Sequence, residues 1–223
     1  MPNCMDSNQI NKEPFLTIAQ DTTNEIIIKK SRFICSLFRV ESEEQAQAAI
    51  TKINKLHRKA THNCFAYLIG DHDQIQRESD NGEPSGTAGV PMLEALKANQ
   101  LHNVLAVVTR YFGGIKLGAG GLIRAYSNSV SQAIEQAGLV ERVEQAILKI
   151  DVAYSLHDSL LYYLKQANLE IAEEEYGASV IVSVYVDESQ IEERLNQLTE
   201  RFNDQLTIKK GPTRIHELPY QKQ

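Results

Sequence analysis

Apolar residues recur along the chain with two periods, and the switches between them divide it into elements. Segments 15–19, 25–29 and 32–40 are short apolar or alternating runs that predict strands. Ser42 with Gln45 three residues later forms a capping-box pattern. Ala46, Ala49, Ile50 and Ile53 follow at helical spacing, which predicts a helix ending over 57–59. Segment 64–69 reads as a buried strand and 71–87 as one long polar loop containing glycine and proline. A short helix follows with Pro91 in its first turn, then an apolar strand over 104–109. A glycine-rich segment leads into a helix over 119–137, with Gly138 placed as its stop.

The pattern continues past residue 144 with a strand over 144–152. Ser155 and Asp158 are expected to cap a helix carrying Leu160, Leu161 and Leu164. Strands at 169–175 and 179–186 flank a turn at Tyr176-Gly177, and Val180, Val182, Val184 and Val186 share one face. Ser189 and Glu192 are expected to cap a last helix with Ile191, Leu195, Leu198 and Phe202 in one stripe, before a strand over 205–209. The order βαββαβ is that of the ferredoxin-like unit. The expectation is an α+β protein of two domains, 15–140 and 141–223, after a disordered tail over 1–14.

Composition narrows the setting. A chain of 223 residues can bury two small cores. No apolar run reaches the roughly 18 residues needed to cross a bilayer, and the start lacks a secretory pattern. Cys4, Cys35 and Cys64 are odd in number and form no CxxC pair. These features point to a reducing cytoplasm, with no membrane contact and no disulfide framework. The net charge of −6 is uneven: 14 Lys+Arg balance 14 Asp+Glu up to Val140, and 9 face 15 beyond it. A polyanion would therefore be met by the N-terminal half.

Three segments carry candidate chemistry. Arg110, Tyr111, Gly113, Gly114, Lys116, Gly118, Gly120, Gly121 and Arg124 combine glycines with cations at a helix entry, a composition suited to an anion. It is not a phosphate loop, since Ala119 stands where lysine belongs, nor a dinucleotide fingerprint, since Ile123 replaces the last glycine. Tight helix-on-strand packing would also use these glycines. In the loop Asp80, Glu83, Ser85, Gly86 and Thr87, the hydroxyls could cap a helix or hold a phosphate oxygen, and the carboxylates could meet a hard cation; a solvated loop is the alternative. Its order is not that of a nucleophile elbow. Lys29, Lys30 and Arg32 beside Phe33 suit phosphate contact with base stacking, or equally the protection of a strand edge. His57, His62 and Cys64 match no usual metal-ligand spacing, and no catalytic Ser/His/Asp or Cys/His set can be argued.

The text Ile28-Lys-Lys-Ser-Arg-Phe-Ile34, Ala60-Thr-His-Asn-Cys64 with Ala66-Tyr67, Asp80-Asn-Gly-Glu-Pro-Ser-Gly-Thr-Ala-Gly89 and Arg110-Tyr-Phe-Gly-Gly-Ile-Lys-Leu-Gly118 resembles the IMPACT family, of its bacterial YigZ type. The resemblance implies an N-terminal domain with the fold shared by a small-subunit ribosomal protein, domain IV of the translocating elongation factor and the GHMP kinases. It implies a C-terminal domain similar to domain V of that factor. Eukaryotic members carry a further N-terminal interaction domain and regulate translation through a stress kinase. The short stretch before Phe15 does not match that module, so the kinase role is not carried over.

The leading expectation is a cytoplasmic translation-associated regulatory protein that contacts RNA or the ribosome through its N-terminal domain, without cofactor or metal. Arg110, Lys116 and Arg124 would meet phosphates, and Phe33 or Tyr111 would stack on a base. Two alternatives stand beside it. One is a phosphometabolite- or nucleotide-binding protein or enzyme using the 80–89 and 113–121 loops. The other is a regulatory module with a protein partner.

Overall fold

A computed structural model describes residues 15–221, so the tail expected over 1–14 lies outside the described residues. The chain forms two compact units. One runs up to Glu141 and takes back the final stretch from Leu218; the other is Arg142–Glu217.

In the first unit the order is β1 (Phe15–Ile18), β2 (Thr22–Ile28), β3 (Ser31–Arg39), α1 (Glu43–Leu56), β4 (His62–Ile69), β5 (Ile75–Ser79), α2 (Gly89–Ala98), β6 (Val104–Tyr111) and α3 (Ala119–Ala137). An antiparallel sheet runs β2-β3-β6-β4-β5. β6 is its central strand, and its alternating side chains feed two cores. Ala106 and Val108 join Phe33, Cys35, Cys64 and Ala66 under α2 and α3. Leu105 and Val107 join Tyr67 and Ile69 under α1. Helices on both faces explain why 104–109 is an unbroken apolar run rather than an alternating one.

α3 buries Leu122, Ala125, Tyr126, Ser129, Val130, Ala133, Ile134 and Ala137, a helical stripe, and stops at Gly138 with φ 70°. The capping box of α1 forms: Ser42 Oγ accepts from the Gln45 N–H at 3.3 Å. The return bond goes one residue further out, from the Glu41 N–H to Gln45 Oε1 at 2.8 Å.

The segment 71–87 is not one loop, because it contains β5, which pairs with β4 at the sheet edge. Its sequence Ile-Gln-Arg-Glu-Ser has one apolar residue, as an edge strand exposed on its outer side tolerates.

The second unit contains β7 (Leu139–Val152), α4 (Tyr154–Gln166), β8 (Ile171–Tyr176), β9 (Val180–Asp187), α5 (Ile191–Phe202) and β10 (Thr207–Tyr220). Its strand order β10-β7-β9-β8 is the ferredoxin-like one. Val180, Val182, Val184 and Val186 pack with Leu160, Leu164, Leu198 and Phe202 in one core.

Two expected caps are corrected. α4 begins at Tyr154 after Ala153 and makes no side-chain cap bond, because β7 keeps its alternation up to the buried Val152 and the helix starts before Ser155 can stand outside it. α5 follows a 3-10 turn, Glu188–Gln190, that absorbs Ser189, again without a side-chain cap. The last strand also runs well beyond residue 209.

Candidate functional site

The segments singled out by composition meet at one end of the first unit's sheet, where β3 begins, β6 ends and α3 starts. What they build there is an inner charged knot and an outer cationic rim.

The knot is centred on Glu83, which is 8 % exposed. Its Oε1 accepts from Arg110 Nη1 at 2.6 Å and from the Tyr126 hydroxyl at 2.8 Å. Its Oε2 lies 3.8 Å from His62 Nε2. The other ring nitrogen of His62, Nδ1, is 2.9 Å from the Asn81 carbonyl, which can only accept, so Nδ1 is the donor in that bond. Cys64 Sγ is 2.9 Å from the Asp80 carbonyl and 3.4 Å from the Tyr126 hydroxyl. Burial, opposed in part by the Tyr126 hydrogen bond, pushes the Cys64 thiol up to about 12. Burial likewise raises the Tyr126 hydroxyl, with Cys64 and Glu83 adding to the effect.

Arg110, one of the three cations expected to meet phosphate, is therefore corrected: it is 5 % exposed and its charge is held by Glu83. The strand explains it, since Arg110 continues the inward face of Ala106 and Val108 and points under α3. Phe33 is also corrected as a stacking residue. It is fully buried and contacts Arg110 and Tyr126 from within.

Tyr111, the next residue of β6, faces the α1 side instead, where His57 Nδ1 is 3.0 Å from its hydroxyl. The Arg32 guanidinium covers its ring at 5.4 Å while bonding both oxygens of Glu25 at 2.8 Å. Arg32 and Tyr111 thus belong to a separate paired group.

The loop 80–89 is mostly self-occupied. Asp80 Oδ2 accepts from the Gly86 N–H at 2.7 Å, and Oδ1 accepts from the Ala88 and Gly89 N–H groups at 2.9 Å, which caps α2. Desolvation acts to raise this carboxyl, but the three backbone donors outweigh it and hold it below its ordinary value. Thr87 is buried and its hydroxyl donates to the Pro84 carbonyl at 2.6 Å. Only Ser85 of this set is exposed. His57, His62 and Cys64 each bond a different partner, and no group of three or more His, Cys, Asp or Glu is placed to hold a metal among the described residues.

The rim is different. Lys29 and Lys30 form the two-residue turn between β2 and β3, both at positive φ, 45° and 66°. That conformation is normally left to Asn and Gly in such hairpins. Gly113 lies so close under this turn that a Cβ there would collide with the Lys30 carbonyl. Its N–H donates to Ser31 Oγ at 3.1 Å.

Beyond Gly113 the chain rises through Gly114 and Lys116 to Gly118, which has φ 71° and open space around it. α3 then starts at Ala119 without a side-chain cap or an acidic residue in its first turn, which leaves the N–H groups at Gly120 and Gly121 unclaimed by side chains. A groove of about 620 Å³ runs between Lys29 on the turn and Gly121, Arg124 and Asn128 on α3. Lys29, Lys30, Lys116 and Arg124 make no ion pair among the described residues.

Sequence reasoning missed the role of Glu83 as counter-ion to Arg110, and it missed Phe112, which is 48 % exposed. A lone glutamate in a polar loop carries no mark of a partner 27 residues away. For Phe112 a signal existed: it is the aromatic on the same side of the strand as Arg110, one step past its end.

Comparison with known proteins gives the family. The Impact N-terminal domain model matches residues 29–134, and a domain of unknown function, DUF1949, matches 150–205. The chain is 47 % identical over 197 residues to the IMPACT family member YvyE of Bacillus subtilis (strain 168), covering 88 % of this chain and 91 % of that protein. It is 36 % identical to the IMPACT family member YigZ of Escherichia coli (strain K12), covering 74 % and 82 % of the two chains. A solved structure described as a hypothetical protein superposes with a TM-score of 0.57 at 33 % identity, covering 88 % of this chain and 97 % of that one. With two domain models in sequence order and relatives above 35 % identity matched over more than four fifths of their length, the chain belongs to the IMPACT family.

Proposed function

We propose that this protein is a translation-associated regulatory factor that contacts RNA, free or within the ribosome, through the cationic rim of its N-terminal unit. The reading is supported above all by one observation: Lys29, Lys30, Lys116 and Arg124 sit around one turn, one loop and one helix entry without a carboxylate partner. Arg32, Arg77, Lys97 and Arg110 of the same unit are engaged by Glu25, Glu43, Glu94 and Glu83, whereas Lys52, Lys55, Arg58 and Lys59 around the end of α1 are unpaired among the described residues but have no glycine-rich backbone beside them. Unneutralised cations beside exposed glycine backbone suit phosphates. Membership of the IMPACT family, whose eukaryotic members regulate translation, supports the cellular setting, and we assign the protein to the cytoplasm on the same grounds. No helix of the described residues is long and apolar enough to cross a membrane.

The nucleotide-enzyme reading has less to stand on, because the Asp80 and Glu83 carboxylates it would use are engaged by α2 and Arg110. The test is co-sedimentation of the full chain with ribosomes and with ribosomal RNA at 0.15 M salt. Replacing Lys29, Lys116 and Arg124 together by alanine removes three phosphate contacts. With a salt slope of about 0.7 per contact on single strands, affinity should fall about 50-fold. Undiminished co-sedimentation would overturn the proposal.

A further inference from the structure

We infer that Phe112 is a base-stacking platform, so that the ligand of the rim is single-stranded RNA with unpaired bases rather than duplex; this rests on the polyanion reading above. Phe112 is 48 % exposed and stands beside the cationic rim rather than in the core. Its backbone is held on both sides. Its N–H donates to Thr61 Oγ1 at 3.1 Å, and the N–H of the next residue, Gly113, donates to Ser31 Oγ at 3.1 Å. The Arg110 guanidinium lies over its ring, 5.6 Å from the centroid, and that guanidinium is itself fixed by Glu83.

The ring is thus backed by a buried cation while nearly half of the residue stays exposed. An exposed aromatic ring on a fixed backbone beside a basic surface is what stacking on a nucleobase uses. The two residues first suited to that task by composition are unavailable, since Phe33 is fully buried and the Tyr111 ring is covered by Arg32.

The rim's cations neighbour this ring along the chain and across the Gly113 contact. Gly113, adjacent to Phe112, packs under the backbone of Lys30, and Lys116 follows four residues after Phe112. Ile115 is exposed at 42 % and widens the apolar part of this surface. Stacked bases in a duplex present only their edges, so an exposed ring flanked by cations offers a duplex nothing that cations alone would not.

The test uses the full chain with a 12-nucleotide oligouridine, the corresponding 12-base-pair RNA duplex, and heparin as a base-free polyanion. Phe112→Ala should weaken oligouridine binding about 5- to 150-fold. Duplex and heparin binding should change less than about twofold. Phe112→Trp should retain oligouridine binding, and because the chain has no tryptophan, its fluorescence should be quenched by that ligand and not by heparin.

Equal losses on single strand and duplex, or no quenching in the tryptophan variant, would overturn the stacking role. Unchanged oligouridine binding by Phe112→Ala, with a loss in the triple cation variant, would overturn stacking and leave the rim reading intact. If the wild-type chain bound none of the three probes, both would fall.

Discussion

Removing the counter-ion of Arg110 is the sharpest perturbation of the site's interior. Glu83→Gln keeps the volume and a hydrogen-bonding oxygen but leaves the guanidinium, 5 % exposed, with no negative charge beside it. Breaking one side of a buried ion pair costs about 3–5 kcal/mol. The loss cannot be met by water, because Phe33 and Tyr126 close the inner side. A single unfolding free energy is poorly defined for a chain of two units, so native-state hydrogen exchange at the β6 amides of Val107 and Val108 is the better assay. Where opening of β6 governs exchange, their rates should rise about 10²- to 10⁴-fold. The pair also predicts coupling. Glu83→Gln with Arg110→Met removes both charges and should recover most of the loss, as a double-mutant cycle would show. A change under about 1 kcal/mol in the single variant, or purely additive effects in the double, would refute the claim that this pair is buried and mutually dependent.

Three further outcomes follow from the same geometry. The Cys64 thiol, pushed up to about 12 by burial, should resist alkylation at pH 8 until the chain unfolds. Its linkage has a definite sign: the folded value lies above the unfolded ~8.5, so stability is full below that pH and declines by up to about 1.4 kcal/mol per pH unit as pH rises towards 12; Cys64→Ala should flatten that slope in alkaline denaturation. Asp80→Ala uncaps α2 and should cost about 1–2 kcal/mol at pH 7, read from native-state hydrogen exchange at the α2 amides. Because the folded Asp80 carboxyl lies below its unfolded value, its contribution is present above pH ~4 and fades as pH falls through the folded value. Gly113→Ala drives a methyl into the Lys30 backbone and should lower the melting temperature by about 4–12 °C, with loss of RNA binding as the Lys29–Lys30 turn and Phe112 are displaced.

What could be read from sequence followed from periodicity and glycine. α3 matches its expected bounds because an unbroken apolar stripe begins just after Gly118 and ends at Gly138. The valines of β9 gave the second core directly. β5 was hidden because an edge strand with one apolar residue leaves almost no alternation to detect. The caps of α4 and α5 were misplaced because serines near a helix start look alike whether they stand outside it or inside the first turn.

The site shows the same division. The rim was legible as cations and glycines in a row, whereas the direction of Arg110 depended on the strand's phase relative to a core formed by distant segments. Once β6 is placed in register with His62 on one side and Phe33 on the other, Arg110 must turn inward, and it needs the carboxylate that the loop 80–89 supplies.

The central claim is that Lys29, Lys116 and Arg124 neutralise phosphates. It is tested most directly by the salt dependence of oligouridine binding, measured from 0.05 to 0.3 M for the wild-type chain and the triple alanine variant, roughly the range over which counterion release dominates. The slope of log affinity against log salt should become shallower by about 2 in the variant. Parallel lines for the two proteins would contradict the account.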